Sequence, residues 1–267
     1  MAAGQILPLF RVRDERESVR AVANTITISF AQDPLIKWLR PRVPLWTRNN
    51  KGTFKWQYRR VQRAIADGIV LQSGPAAHID RLFPSGSSES CHTEPEMLGS
   101  VAAQSSSKND DGGEDAGVVV MLFPPAGHKR WTLERLFLLC KLSLLEVFRS
   151  VCDRGTNSER LEIMMTSHDE AIARVEMLHQ LRDVWYLEVI AVHPSLQGRR
   201  LGKKAMNSVL DYINHEPVVL ECTSEDNIPF YQKLGFETVE EVDLTENGEA
   251  VRLWIMLRRA PRRGHSK

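Results

Sequence analysis

The residues best placed to do chemistry lie where an apolar stretch meets a short basic loop. Residues 185–192 are apolar or β-branched apart from Glu188, a composition typical of a buried central strand. Pro194 ends that strand, because proline cannot donate a hydrogen bond to a central ladder. Residues 197–202 then form a polar loop rich in glycine and arginine. The loop leads into a predicted helix whose apolar residues fall on one face: Leu201, Ala205, Val209, Leu210 and Ile213.

A strand, a tight loop and a helix in this order can bind an anion. The first N–H groups of the helix have no partner inside it, and the helix dipole places partial positive charge there. Four cationic side chains add to that end, which is unfavourable unless an anion is bound: Arg199, Arg200, Lys203 and Lys204. A phosphate ligand is therefore the sharper hypothesis, and a solvated basic turn is the alternative.

The spacing of the loop excludes two common phosphate-binding motifs. A P-loop needs four residues between its glycines and a Ser or Thr after its lysine. Here three residues separate Gly198 from Gly202, and Lys204 follows Lys203. The dinucleotide fingerprint needs three glycines at fixed offsets, and this loop has two.

The loop resembles motif A of the GCN5-related N-acetyltransferases, the GNAT family, whose pattern is Gln/Arg, two residues, Gly, one residue, Gly/Ala. Arg200 stands where the family usually has glycine. The positions that fit the common form are Gln197, Gly198, Arg199, Leu201 and Gly202. Residues 220–244 resemble the family's last conserved block, in which an Asn and a Phe-Tyr pair precede Leu-Gly-Phe. With RLWIM at 252–256, the whole is most similar to the puromycin acetyltransferase type and to related fungal enzymes.

The resemblance implies that the chain binds acetyl-coenzyme A (acetyl-CoA). The amides from Gly198 to Lys203 would hold the diphosphate, and the main chain around Ile190 and Val192 would bind the pantetheine and the acetyl carbonyl. The positions that the resemblance assigns to the cofactor are Ile190, Val192, Gln197, Gly198, Arg199, Arg200, Leu201, Gly202, Lys203 and Asn227. Because Arg200 brings a Cβ close to a phosphate, we expect its φ to be negative.

For catalysis the resemblance points to Tyr231 as the general acid that protonates the departing thiolate. Packing of the Tyr231 ring is the structural alternative, and capping of a helix is the alternative for Asn227. The base that takes a proton from the amine has three candidates: Glu188 on the central strand, Glu221 on its neighbour and His193 at the strand end. Glu188 leads, with a salt bridge as its alternative role. Cys222 is predicted to be a core thiol, since the family transfers the acetyl group directly within a ternary complex.

The rest of the chain supplies alternating strands and helices. The pattern predicts a short strand near Arg11, a helix from Glu17 or Ser18 that stops before Asp33, and then a loop anchored by Trp38 and Trp46. Further predicted helices span 53–67, 130–151 and 167–177. Predicted strands at 69–72 and 118–125 form a hairpin, 218–223 runs parallel to the central strand, and a last hairpin turns at 247–248.

The sequence therefore predicts one α/β domain, 1–267, with the GNAT fold: a mixed, twisted sheet splayed at its central strand, with helices on both faces. Residues 74–117 are rich in Ser, Gly, Asp and Glu and are predicted to be a disordered insertion, and 261–267 a basic tail. A net charge of +1, no membrane span, no secretory signal and four scattered cysteines favour a cytoplasmic protein without nucleic-acid, membrane or metal partners.

The predicted activity is acetyl-CoA-dependent acetylation of a primary amine on a small molecule. The strongly apolar helix at 130–151 favours a small substrate, because it could cover a hydrophobic cavity. The alternatives are a protein or peptide N-acetyltransferase with an open acidic groove, and a catalytically silent CoA-binding module, which Arg200 keeps open. A partner-binding role for the 74–117 insertion is a further alternative.

Overall fold

The structure, a computed structural model, describes residues 6–42, 51–84, 115–125, 155–181 and 183–261. Within these ranges seven strands form one mixed sheet in the order β1-β2-β3-β4-β5-β7-β6. The strands are β1 (Phe10–Arg11), β2 (Ile69–Gln72), β3 (Val118–Phe123), β4 (Trp185–Val192), β5 (Val218–Cys222), β6 (Glu237–Glu246) and β7 (Glu249–Arg258). All neighbouring strands described run antiparallel except β4 and β5.

The helices in the described ranges lie on both faces of this sheet. They are α1 (Arg16–Ser29), α2 (Pro34–Leu39), α3 (Lys51–Asp67), α4 (Ala76–Leu82), α5 (Ser158–Leu178), α6 (Leu201–Tyr212) and α7 (Ile228–Gln232). The buried side of α6 packs on one face of β4, and α1 and α3 pack on the other. The predicted α/β architecture with helices on both faces is thus confirmed. No helix in these ranges is both long and apolar enough to cross a bilayer.

A β-bulge at Glu188 changes which side chains of β4 face each layer. Val189 pairs with Met121 and Leu187 with Leu122, so Glu188 is an extra residue without a partner on β3. Before the bulge the odd-numbered residues pack toward α6, and after it the even-numbered ones do, starting with Ile190. The sequence analysis did not foresee this switch.

The parallel pairing of β4 and β5 stops early, and this opens the sheet. The last paired residues are Leu187 and Leu220, although β4 continues to Val192 and β5 to Cys222. The strand ends beyond this point separate, and the splay that the sequence predicted at the central strand is confirmed.

Several local predictions agree with the structure. The helix ended by Gly68, the β2–β3 hairpin and the strand at Val218–Cys222 are all present. The β6–β7 hairpin turns at Asn247 and Gly248, whose φ values of 50° and 80° match the type I′ turn typical of this dipeptide.

Other local predictions were wrong. The segment after the first helix is a loop only in part, because Pro34–Leu39 form α2. The helix predicted at 167–177 starts earlier, at Ser158. The predicted bounds of the disordered insertion, 74–117, were too wide, since Ala76–Leu82 are helical and Pro75 forms a β-bridge with Ala116. The remainder of that insertion, Trp46, the helix predicted at 130–151 and residues 262–267 lie outside the described residues.

Candidate active site

A cavity of about 600 Å³ occupies the gap between the separated ends of β4 and β5. Its walls come from both strand ends, from the turn between α1 and α2, from α5 and from α7. The predicted site residues that line it are Glu188, Ile190, Val192, Gln197, Gly202, Asn227 and Tyr231. Glu221 and Cys222 line it as well.

The start of α6 presents a row of unpaired amides. The first hydrogen bond at this end joins the N–H of Lys204 to the carbonyl of Arg200 at 3.1 Å. Among the described residues no acceptor bonds the preceding amides, which run from Gly198 to Lys203. Such a row at a helix N-terminus is a ready site for phosphate oxygens. This is the arrangement that the loop sequence predicted.

The backbone of Arg200 contradicts the expected negative φ. Its φ is +57° and its ψ is 17°, so it adopts the left-handed conformation directly before α6. Gly198 also has a positive φ, +77°. Left-handed residues in a loop can turn successive N–H groups toward one concavity that binds an anion. Arg200 adopts the left-handed conformation although it is not the glycine that the family usually has at this position.

The side chains of the loop have different roles. Arg199 donates to the carbonyls of Phe83 and Ser195, each at 2.9 Å, and forms an ion pair with Asp80. Its guanidinium is therefore committed to α4 and the turn before the loop, so that only its amide can serve the predicted cofactor role. The exposed side chains of Arg200 and Lys203 form no ion pair with any described residue. Leu201 is buried, and Gln197 donates to the carbonyl of Val192 at 3.2 Å.

The free edge of β4 supplies the second set of backbone donors. The N–H of His193 donates to the carbonyl of Gly117 beside β3, at 2.8 Å. Because main-chain groups alternate sides along a strand, those of Ile190 and Val192 point the other way, toward the splay. No described strand pairs with them there, since the β4–β5 ladder ends at Leu187. The carbonyl of Val192 is taken by the Ser29 hydroxyl at 3.0 Å and by Gln197, which leaves its N–H.

Tyr231 and Asn227 face this edge across the cavity. Burial raises the pKa of the Tyr231 phenol, and the nearby Cys222 raises it further, so the hydroxyl stays protonated. That hydroxyl bonds to no described residue, although the ring packs edge-on against Phe230 and Phe236 at 5.1 and 5.8 Å. Asn227 occupies the N-cap position of α7 but its side chain makes no capping hydrogen bond, so the capping alternative was wrong.

Glu188 has one paired and one unpaired oxygen. Arg60 on α3 donates from Nε to Oε1 at 2.8 Å, and Oε2 is buried without a partner among the described residues. Burial would lower the pKa of the Arg60 guanidinium, but the charge and hydrogen bond of Glu188 raise it. The salt bridge weighed for Glu188 therefore exists, and a second acceptor atom is still left in the cavity. His193 lies apart from the cavity and pairs with Ser195 at 2.8 Å.

Three polar residues that the sequence analysis did not select also line the cavity, and two of them bond to Glu221. His168 Nδ1 lies 2.9 Å from Glu221 Oε1, and the Tyr186 hydroxyl donates to Oε2 at 3.1 Å. Asp33 accepts from the N–H of Ile36 at 2.9 Å and from the Thr223 hydroxyl, and burial raises the pKa of its carboxyl. The partners Glu221 and Thr223 lie 35 to 190 residues away in sequence, so no local signal could have revealed these side-chain pairs.

Cys222 has the properties of a core thiol. Burial raises its pKa to about 11, and Sγ donates to the carbonyl of Ser224 at 3.0 Å. A thiol in this state is a poor nucleophile at neutral pH. The described residues contain no group of His, Cys, Asp and Glu suited to a metal ion.

Comparison with known proteins agrees with this geometry. A model of the acetyltransferase (GNAT) family matches residues 126–236. An uncharacterized N-acetyltransferase of Schizosaccharomyces pombe is 30% identical over 76 residues, which are 28% of this chain and 31% of that protein. The match therefore spans about a third of the relative's length.

Two crystal structures share the fold at low sequence identity. The histone acetyltransferase HPA2 and related acetyltransferase from Corynebacterium glutamicum aligns with a TM-score of 0.51 and 12% identity, over 96% of this chain and 98% of that chain. The arylalkylamine N-acetyltransferase 2 of Aedes aegypti aligns with a TM-score of 0.53 and 13% identity, over 95% and 99%. The family match over residues 126–236 and the shared fold make the chain similar to the GCN5-related N-acetyltransferases.

Proposed function

We propose that this protein transfers an acetyl group from acetyl-CoA to a primary amine of a small molecule. The observation that carries the proposal is the row of unpaired amides from Gly198 to Lys203, which lies beside the separated ends of β4 and β5. An anion-binding helix start next to a free strand edge suits a ligand with a diphosphate and an amide-containing arm. The further similarity to the puromycin acetyltransferase type stays a prediction.

The residues present fit coenzyme A. The loop amides would hold the diphosphate, with the exposed Arg200 and Lys203 side chains adding positive charge near its oxygens. The side-chain amide of Asn227 and the N–H groups of Ile190 and Val192 would bond the arm and the acyl carbonyl. A donor placed at that carbonyl stabilises the negative charge that develops on its oxygen during attack. Acetyl-CoA, as co-substrate, supplies the activated acyl group.

Tyr231 would serve as proton donor to the departing sulfur. Its phenol is kept neutral by burial, and its hydroxyl is not engaged by any described residue. Glu188 also lines the cavity, and its Oε2, which bonds to no described residue, can accept a hydrogen bond from the incoming amine.

The cavity favours a small amine. Its volume of about 600 Å³ falls in the range of small-molecule sites. Its walls include aromatic and thioether side chains, among them Phe30, Phe123, Met164 and Met165. One protein of the same fold, the Aedes aegypti enzyme, is named for arylalkylamines. We also propose a cytoplasmic location, because the four cysteines are scattered along the sequence without a disulfide-type pattern.

The test is to incubate the purified protein with radiolabelled acetyl-CoA and two panels, one of small primary amines and one of peptides. We expect label in at least one small amine, and a fall in kcat of about 10²-fold for Tyr231→Phe with the affinity for CoA unchanged. Tyr212→Phe, which alters an exposed tyrosine of α6, is the matched control. Transfer to peptides alone would reverse the substrate class. Tight CoA binding with no transfer to either panel would identify a silent module.

A further inference from the structure

His168 lies on α5, and among the described residues only one of its ring nitrogens has a bonding partner. Nδ1 is 2.9 Å from Oε1 of Glu221, which lies on β5 at the splay. The other carboxylate oxygen accepts from the Tyr186 hydroxyl of β4 at 3.1 Å, and the rings of His168 and Tyr186 meet edge-on at 4.9 Å. The carboxylate is thus held from two elements, and it fixes the orientation of the imidazole.

This pairing selects one tautomer of the neutral imidazole. A carboxylate accepts hydrogen bonds, so Nδ1 carries the hydrogen and Nε2 keeps its lone pair. Nε2 bonds to no described residue, and His168 lines the same cavity as Glu188 and Tyr231. A histidine oriented by a carboxylate, with a free nitrogen in a ligand cavity, is arranged to accept a proton.

We propose that His168 is the general base of the acetyl transfer, with Glu221 and Tyr186 as positioning residues. The inference rests on the function proposed above. An ordinary imidazole has a pKa of about 6.5 and an ordinary glutamate about 4.3, so imidazole is better matched to a proton transfer near neutral pH. Glu188, already bonded to Arg60, then holds the ammonium group in place while His168 removes its proton.

The proton and electron movements balance. Nε2 of His168 takes one proton from the ammonium group, and the nitrogen lone pair that is set free forms the bond to the acetyl carbon. The carbon–sulfur bond breaks with its electron pair on sulfur, and Tyr231 gives that sulfur a proton. The second proton leaving the nitrogen restores Tyr231, and His168 releases its proton to solvent. The products are the amide, coenzyme A as a thiol, and one proton.

The charges around His168 set the direction of its pH dependence. Burial alone would lower the pKa of His168, but the hydrogen bond and charge of Glu221 raise it, helped by the charges of Asp169 and Glu188. The net effect is a raised pKa. Tyr186 adds no charge, because burial and the same carboxylates raise the pKa of its phenol well above the ordinary value. Activity that needs neutral His168 therefore falls as the pH drops through this raised pKa.

The decisive measurement is kcat/KM against pH for the wild type, His168→Gln and Glu221→Gln. We expect His168→Gln to lower kcat about 10²- to 10³-fold and to abolish the acidic limb of the profile. Glu221→Gln removes the group that raises the pKa of His168, so its acidic limb should move to lower pH. His215→Gln is the matched control, because His215 also lies near a carboxylate, Asp211 at 3.3 Å, but follows the end of α6 and does not line the cavity.

A titration of the His168 imidazole by NMR gives a readout that needs no turnover. The pKa of His168 should lie above the ordinary value in the wild type, fall in Glu221→Gln and stay at the wild-type value in His215→Gln. If the wild type transfers acetyl groups but the acidic limb of Glu221→Gln is not shifted, only the assignment of the base is overturned. The same holds if the pKa of His168 is unchanged in Glu221→Gln. Absence of transfer to any amine by the wild type would overturn the proposed function and this inference together.

Discussion

The backbone of Arg200, in the loop that precedes α6, has a left-handed conformation that residues other than glycine rarely adopt. At φ +57° its Cβ crowds its own backbone, which costs of the order of 1 kcal/mol for a residue other than glycine. We therefore expect Arg200→Gly to raise the free energy of unfolding by up to about 1 kcal/mol. Arg200→Ala should bring no gain, because alanine keeps the Cβ. Chemical denaturation of the two variants measures the difference.

The two Arg200 substitutions control for each other. Both remove the same charge from the same exposed position, so any change that they share comes from electrostatics. A difference between them reports the backbone alone. Equal stability of the glycine and alanine variants would show that the loop carries no strain at this residue.

At the level of single residues, the features that could be predicted are those that a short stretch of sequence determines. The amide row before α6, Tyr231 and Asn227 all lie in short motifs whose pattern is visible in a single stretch of chain. The polar partners of the cavity could not be found in this way. Arg60 is 128 residues from Glu188, and His168 is 53 residues from Glu221, so these pairs exist only because the strands and helices bring them together.

At the level of elements, α4 is bonded through Arg199 to the loop that precedes α6, and we call this set of contacts the Arg199 brace. Arg199 spans the two, with an ion pair to Asp80 of α4 and hydrogen bonds to the carbonyls of Phe83 and Ser195. A guanidinium can make these three bonds at once because its donors lie in a fixed fork, which the single ammonium of lysine cannot reproduce. We infer that this brace holds the loop in the conformation that exposes its amides.

Calorimetric titration with coenzyme A tests the brace. We expect Arg199→Ala and Arg199→Lys to weaken binding by about tenfold, equivalent to about 1.4 kcal/mol, because both lose the fork. Asp80→Asn should also weaken binding, although it makes the protein more positive. If charge alone mattered, Arg199→Lys would bind as well as the wild type and Asp80→Asn would bind more tightly.

Two errors in the predicted elements have a common physical origin. Asp33 and Pro34 were interpreted as the stop of a helix, yet an aspartate at the N-cap and a proline in the first turn also start one, and α2 begins there. Asn157 caps α5 by accepting from the N–H groups of Glu159 and Arg160, at 3.0 and 3.2 Å. The same residue types end one element and begin the next, and only the packing of the following turn decides between them.

At the scale of the whole molecule, the open sheet follows from its strand order. β7 lies between β5 and β6, and β5 is parallel to β4, so the two antiparallel halves of the sheet meet at a short parallel ladder. The bulge at Glu188 falls where that ladder ends. Alternation of apolar residues could not reveal the bulge, because apolar residues of β4 pack into the core on both faces of the sheet.

Arg160 joins the distant parts of this fold on the side away from α6. From α5 it donates to Oε2 of Glu246 at 2.7 Å and to the carbonyl of Trp38 at 2.7 Å, and it pairs with Glu249 at 2.8 Å. Its guanidinium also stacks 5.1 Å from the centre of the Trp38 ring. One buried side chain thus connects α5, α2 and the β6–β7 hairpin.

Removing Arg160 alone should be among the more damaging single changes in the described chain. The side chains of Arg160 and Glu246 are each 5% exposed, so Arg160→Met leaves a buried carboxylate without its partner. We expect the free energy of unfolding to fall by about 3 kcal/mol, and the double change Arg160→Met with Glu246→Leu to recover much of that loss, since it leaves no unpaired charge in the interior. Arg252→Ala, which breaks an exposed pair with Asp243 on the same hairpin, is the matched control and should stay close to the wild type. Urea denaturation of the wild type and the three variants measures these changes. If the double variant is no more stable than Arg160→Met, the packing of Arg160, and not its charge pairing, stabilises the contact between these elements.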